Sequence, residues 1–262
     1  MRKIAITNNK GGVLKTSLTV NLAGVIAQKN KKVLIVDTDN QGNVCLSFGI
    51  NPDKVEHTIY DVLVHDFDVE KAILKEVHKN IDILPANDDM QFFEFDVLTN
   101  MKYYPQPFYL LRNHIKKIEH EYDYILFDTP PNLGLTHGNV LTAVDEIIIP
   151  FQPELYSMRS LTKILNSMQS FKEDHNPHMK VCGVVATLVD SRTVLHSEVL
   201  EECRKFCYEN GIKMFETVIP RTIKHANSVA YEKLPATLTK STKSDRKLVQ
   251  AYIDLWGEIQ NE

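Results

Sequence analysis

The chain has 262 residues, 43% hydrophobic and 24% charged, with a formal net charge of −4. That length fits one large α/β domain or two small ones, either able to bury a sizeable core. The charge excludes a globally basic nucleic-acid binder but not a local basic patch, and no stretch is long and apolar enough to span a bilayer.

In chain order, residues 4–7 read as a strand. Asn9-Lys10-Gly11-Gly12-Val13-Leu14-Lys15-Thr16-Ser17 follows, then a helical pattern over 17–28. A strand, a glycine-bearing turn with lysine and Thr/Ser, and a helix make the layout of a phosphate-binding loop. Backbone N–H groups from Lys10 to Ser17 would face phosphate oxygens. Lys15 would reach the β- and γ-phosphates, and the Thr16 hydroxyl would face Mg²⁺. Leu14 stands where the general loop pattern has glycine. Leucine there either fills space that phosphates need or accepts a backbone angle it tolerates poorly. A lysine-rich turn before an amphipathic helix is the plainer alternative.

The second strand, 32–37, runs into Asp37-Thr38-Asp39-Asn40-Gln41-Gly42-Asn43. Carboxylates two apart share a face on a regular strand but can diverge at its end. One could then hold a metal-bound water while the other faces an attacking water. An Asx-rich turn capping a helix from Gln41 is the alternative. Helices are expected over 41–48, 69–77, 108–119, 155–171, 197–210 and 245–259, and further strands over 81–84, 124–128, 146–150, 181–188 and 213–219. Residues 87–106 read as an irregular, exposed or partner-facing insertion. Asp128 ends a buried apolar strand and precedes Thr129-Pro130-Pro131, a Walker B arrangement in which the carboxylate holds Mg²⁺ through water. The alternation predicts an α/β fold with a mostly parallel central sheet and helices on both faces. Ligands in such folds bind at the carboxyl ends of the strands. Residues 1–262 are expected to form a single P-loop ATPase domain with no N-terminal helix-turn-helix domain. Cys45, Cys182, Cys203 and Cys207 contain no C-x-x-C pair and read as buried free thiols.

Lys10 opening the loop and Lys15 closing it give the deviant Walker A form, Lys-Gly-Gly-x-x-Lys-[Thr/Ser]. This resembles the ParA/MinD family of dimerising ATPases. The 37–43 segment resembles that family's Asp-x-Asp-Pro-Gln-Gly-Asn switch, with Asn40 in the usual place of proline. The 124–131 segment matches its apolar strand followed by Asp-x-Pro-Pro. Thr187-Leu188-Val189-Asp190-Ser191-Arg192 and Val218-Ile219-Pro220-Arg221 resemble the ParA segment pattern. The resemblance, to ParA/Soj-type partition ATPases, runs from Lys3 to about Ala230.

It implies an ATPase for plasmid or chromosome partition that uses ATP and Mg²⁺. Asp39 would orient or deprotonate the attacking water, and Asp37 would join Thr16 and Asp128 around the metal. Thr187 and Pro220 would flank the adenine. An ATP-bound sandwich homodimer, with Lys10 acting across subunits, would bind DNA non-specifically. A centromere-binding, ParB-like adaptor would stimulate hydrolysis. The expected location is cytoplasmic and nucleoid-associated.

Residues 213–247 carry eight basic residues, Lys213, Arg221, Lys224, Lys233, Lys240, Lys243, Arg246 and Lys247, against three acidic ones. Of these Arg221, Lys224, Lys240, Lys243 and Lys247, together with Arg192, are candidate phosphate contacts, with no motif for base reading. A solvated lysine face is the alternative. A MinD-like membrane role for the C-terminal helix is disfavoured by its acidic end, Asp254, Glu258 and Glu262, so packing on the sheet is expected. A degenerate binding module with weak turnover, a cobyrinate-type amidase and an iron–sulfur carrier are the remaining alternatives. The missing C-x-x-C pair disfavours the carrier, and the lack of a fused glutaminase domain disfavours the amidase.

Overall fold

The computed structural model describes residues 1–190, 192–222, 228–239 and 246–261. Eight strands form one sheet in the order β3-β4-β2-β5-β1-β6-β7-β8. They are β1 (Arg2–Ile6), β2 (Val33–Asp37), β3 (Leu74–His78), β4 (Ile81–Leu84), β5 (Tyr124–Asp128), β6 (Glu146–Phe151), β7 (Lys180–Val189) and β8 (Met214–Pro220). Every pairing is parallel except β3 with β4. The helices are α1 (Lys15–Gln28), α2 (Asn43–Ser47), α3 (Ile59–His65), α4 (Val69–Ala72), α5 (Phe93–Thr99), α6 (Leu110–Ile118), α7 (Leu135–Ala143), α8 (Ser157–His175), α9 (Val194–Glu209) and α10 (Arg246–Gln260). β2 is buried at all five positions and β4 at all four, as apolar strands covered on both faces require.

One apolar layer joins α3, α5, α6, α7 and α8 to one face of the sheet. The other joins α1 and α10 to the opposite face. In α10, Leu248, Tyr252, Leu255, Trp256 and Ile259 are buried at i, i+4 and i+7 spacings. The helix is also tied to the sheet by polar contacts. Glu258 accepts the backbone N–H groups of Glu216 and Thr217 at 2.8 Å each. The pairing of β7 with β8 is irregular between Val184 and Val189, and the Glu258 carboxylate takes up two consecutive N–H groups that the ladder leaves over. Lys213 Nζ donates to the Glu258 carbonyl at 3.1 Å, and Arg2 donates to the Ile259 carbonyl at 3.1 Å. Lys213 therefore belongs to this anchor rather than to a free basic face. Packing of α10 on the sheet, as expected, buries the apolar stripe that a membrane-surface helix would need. No helix among the described residues is long and apolar enough to cross a membrane.

The expected helix over 69–77 is in fact α4 followed by β3. Glu76 takes φ 51°, which no helix interior allows, and its N–H donates to the buried Asp82 carboxylate at 2.7 Å. The supposedly irregular 87–106 segment contains α5, with Phe93 and Val97 buried one helical turn apart. Helices α3 and α7 were not anticipated. All nine residues of α7 are buried, so it has no polar face for a period to reveal. All four cysteines are free and buried, as expected.

Candidate functional site

Strands β2, β5 and β1 lie side by side, and their carboxyl ends carry the predicted residues. Asp37 and Asp128 are direct register partners at the ends of β2 and β5. Ile6 ends β1 in register with Asp128, so the loop after β1 starts beside both carboxylates. Thr16 Oγ1 donates to Asp128 Oδ2 at 2.5 Å, and Thr19 reaches the other oxygen at 3.5 Å. Asp37 and Asp128 are fully buried, and Lys15 and Asp39 are at most 9% exposed.

Electrostatics reflect that crowding. Burial, then the neighbouring Asp128, pushes the Asp37 carboxyl well above its usual range. Burial also raises Asp128, against hydrogen bonds from Thr16 and Thr19 and the charge of Lys15. Lys15 is lowered by burial despite Asp128 and Asp39 nearby. The donor set suits a hard cation. Mg²⁺ takes one or two carboxylates and fills its octahedron with waters and phosphate oxygens. Among the described residues no three His, Cys, Asp or Glu side chains close a metal site by themselves, so a cation here would need those oxygens.

Asp37 also serves the turn. Its oxygens accept the N–H groups of Asp39 at 3.0 Å and Val44 at 3.2 Å. Asp39 Oδ1 accepts the Gln41 N–H at 3.0 Å. The Asx-rich turn is present and fixes where the carboxylates sit, but it caps no helix from Gln41: α2 starts at Asn43 behind a left-handed Gly42 with no side-chain cap.

The loop itself is open where phosphates would lie. A Cβ added to Gly11 or Gly12 would meet nothing within 4 Å. Gly12 has φ 74°, and Leu14, capping α1, has φ 67° and ψ 29°. A left-handed leucine costs about 1–2 kcal/mol relative to glycine. Leu14 offsets part of this by packing on the α1 side of the core. Lys15 Nζ donates to the Lys10 carbonyl at 3.1 Å and braces the loop from inside. The mouth widens into a cleft of about 830 Å³, lined by Gly11, Gly12 and Leu14 to Ser17 of the loop, by Asp39 to Gln41 and Asn43, and by Pro131.

Because the left-handed angle is already present in the folded loop, its cost falls on folding and cancels from ligand affinity. Leu14→Gly is therefore expected to change stability by no more than about 1 kcal/mol, strain relief opposing lost burial. ATP affinity should stay within about threefold. Melting curves and calorimetric titration test this; a tenfold gain in affinity would show that leucine obstructs the bound state.

Lys10 behaves differently from Lys15. Its ammonium leaves the loop and pairs with Glu154 at 2.6 Å, while its N–H is held by Asn8 at 2.9 Å. Glu154, lowered chiefly by that lysine, also accepts from Gln152. Neither Glu154 nor Gln152 was foreseen from sequence, since 144 residues separate the ion pair.

The expected base-flanking residues lie on β7 and β8. Thr187 is fully buried and its hydroxyl donates to the Val13 carbonyl at 3.2 Å, so it ties β7 to the phosphate loop. Pro220 ends β8 half-buried. Neither lines the large cleft.

Of the expected phosphate contacts, Lys224, Lys240 and Lys243 lie outside the described residues. Arg192 and Arg221 are exposed beyond the carboxyl ends of β7 and β8, and the Arg221 N–H donates to Val189 at 3.0 Å. The Arg192 guanidinium forks onto Asp190 at 2.9 and 2.7 Å. Lys247 is exposed in the first turn of α10.

Residues 1–181 match the AAA domain family. The chain is 36% identical over 256 residues to the sporulation initiation inhibitor protein Soj of Bacillus subtilis, covering 98% of this chain and 97% of Soj. It is 34% identical over 269 residues to a ParA family protein of Mycoplasma pneumoniae, again covering 98% and 97%. In structure it resembles cobyrinic acid a,c-diamide synthase from Mycobacterium smegmatis with bound ATP analog and magnesium, with a TM-score of 0.82, 28% identity and coverage of 98% and 93%. With the deviant lysine pair, the paired strand-end carboxylates and this near full-length similarity, the chain belongs to the ParA/Soj-type partition ATPases of the ParA/MinD family.

Proposed function

We propose that this chain binds and hydrolyses ATP with Mg²⁺ as a sandwich homodimer, and that the ATP-bound dimer holds DNA without sequence preference until a ParB-like adaptor stimulates hydrolysis. The observation that carries this reading is the convergence of Lys15, Thr16, Asp37, Asp39 and Asp128 at three adjacent strand ends. An open glycine loop beside them supports it further.

In this reading the loop N–H groups and Lys15 hold the β- and γ-phosphates. Thr16 and Asp128 hold Mg²⁺, with Asp37 behind them, and the bound cation supplies neutralisation of phosphate charge. Asp39, tethered by its turn, orients the attacking water and accepts its proton. Phosphoryl transfer needs little more than positioning and charge compensation. The similar M. smegmatis structure, described with ATP analog and magnesium, supports the same pairing of ligands here.

Lys10 supports the dimer. Its side chain is 30% exposed and held by a surface carboxylate rather than by its own loop, so it can leave at low cost, as exposed ion pairs are worth about 0–1 kcal/mol. The exposed Arg192, Arg221 and Lys247 supply phosphate contacts. Asp190 occupies the Arg192 fork until a DNA phosphate replaces it. The setting would be the cytoplasm, at the nucleoid.

Lys10→Ala is expected to keep measurable ATP binding while losing ATP-dependent dimerisation and turnover. Sedimentation with and without ATP, beside single-turnover hydrolysis, tests it. A variant that still dimerises and hydrolyses normally removes the cross-subunit mechanism.

A further inference from the structure

Helix α5 turns Phe93 and Val97 inward and leaves an apolar stripe outside. Phe92, Phe95, Leu98, Met101 and Tyr103 are 47–70% exposed within twelve residues. Scattered apolar residues are ordinary on a protein surface, but a contiguous patch marks a binding site. Beneath α5 lies a separate cavity of about 290 Å³, bounded by Leu98, Phe108, Leu133, Leu141 and Phe171 with His137 in its wall. Residues 88–103 carry Asp88, Asp89, Glu94 and Asp96 against one base, Lys102, whose ammonium lies over the Tyr103 ring at 4.7 Å. We infer that the outer face of α5 and the cavity beneath it form a docking site for a basic, amphipathic helical segment of a partner protein, which seats an apolar side chain between α5 and α7.

The charge selects this occupant. Two copies of this chain meeting through α5 would set like carboxylates against each other, and an anionic lipid surface would be repelled. A basic helix satisfies both the stripe and its rim, in the manner of helix-in-groove recognition.

The site is wired to the nucleotide loops. Glu94 Oε2 accepts the N–H of Leu135, the first residue of α7, at 3.3 Å. Gly134 leaves that carboxylate its room, since a Cβ there would lie 2.3 Å from Glu94 Oε2. Gly134 and Leu135 close the loop that starts at Asp128. On the cavity's inner side His137 Nε2 bonds Thr7 Oγ1 at 3.0 Å, directly below the phosphate loop. Burial, with Lys15 nearby, lowers His137 to about 4, so the contact is made by a neutral ring. An occupant would press on both loops at once. This deepens the proposed function and rests on it only for the effect on hydrolysis.

The probe is a fluorescein-labelled helical peptide built of leucine and lysine, read by anisotropy against the full chain. Its leucine–glutamate counterpart is the control. The lysine peptide should bind the native chain and a Tyr208→Asp variant, altered at an exposed tyrosine elsewhere, equally. Phe95→Asp and Leu98→Asp should each weaken it by at least about tenfold, and Asp89→Lys should weaken it and flatten its salt dependence. Phe95 and Leu98 are exposed, and melting curves confirm that the variants fold. Equal binding by Phe95→Asp, or equal binding of the two peptides, overturns the inference. So does loss of self-association in Phe95→Asp without peptide, which would make this face a contact between copies. A chain that hydrolyses ATP but ignores the peptide sinks this inference alone; one that binds the peptide but not ATP sinks the proposed function alone.

Discussion

Asp39→Ala is expected to bind ATP with near-native affinity while single-turnover hydrolysis slows by about 10²–10⁴-fold, the usual contribution of a positioned general base. Asp39 lies two residues beyond the end of β2, and its carboxylate is held by the Gln41 N–H. That tether fixes one oxygen and aims the group, which is what water positioning needs. Its carboxylate's hydrogen bond is local, to the N–H two residues on, so the fold should survive its removal. The N–H of residue 39 still satisfies Asp37 in the alanine variant, and the paired carboxylates stay in place. Rapid-quench measurement of one turnover separates chemistry from product release. Hydrolysis at native speed would exclude Asp39 from the reaction.

Lys15→Ala should have the complementary effect. ATP affinity should fall by about two to three decades, because truncating one partner of a buried charged contact costs about 2–5 kcal/mol. Lys15 is 8% exposed and is a cation facing Asp128 and Asp39 from within the loop. Its loss also frees the Lys10 carbonyl, so the loop should become less ordered. Calorimetric titration of ATP, with circular dichroism as a check on folding, gives the result. Affinity within threefold of native would mean that the loop N–H groups alone hold the phosphates, and that the two carboxylates tolerate each other without this lysine.

The sheet and the centre of the site were legible because each is written locally. Asp37 and Asp128 end apolar runs, and Lys10 to Ser17 form one segment, so short patterns capture them. Edges and long-range partners were not. β3 has the composition of a helix end; its antiparallel pairing with β4, irregular around the left-handed Glu76 that bonds to Asp82, makes it a strand. α7 is hidden because its polar residues are satisfied inside the core: His137 by Thr7, Asn139 by the Pro107 and Leu135 carbonyls, and Thr142 by Phe108. A helix with no wet face has no period. The Lys10–Glu154 pair and the Thr187–Val13 bond depend on crossovers that bring distant loops together, and no residue spacing announces them. For Thr187 the local motif gave no sign that its hydroxyl ties β7 to the phosphate loop.

The Glu258 anchor on β8 has a consequence for assembly. A terminal strand in a parallel sheet is the natural seed for adding another strand from a neighbouring molecule. Here a carboxylate at the end of the last helix occupies two of the N–H groups such a strand would need, and its negative charge meets any incoming carbonyl with repulsion. Filaments grown by sheet extension are disfavoured at this margin. Higher-order particles must then be built through the loop-bearing face or through helices, where growth can be tied to nucleotide state and reversed.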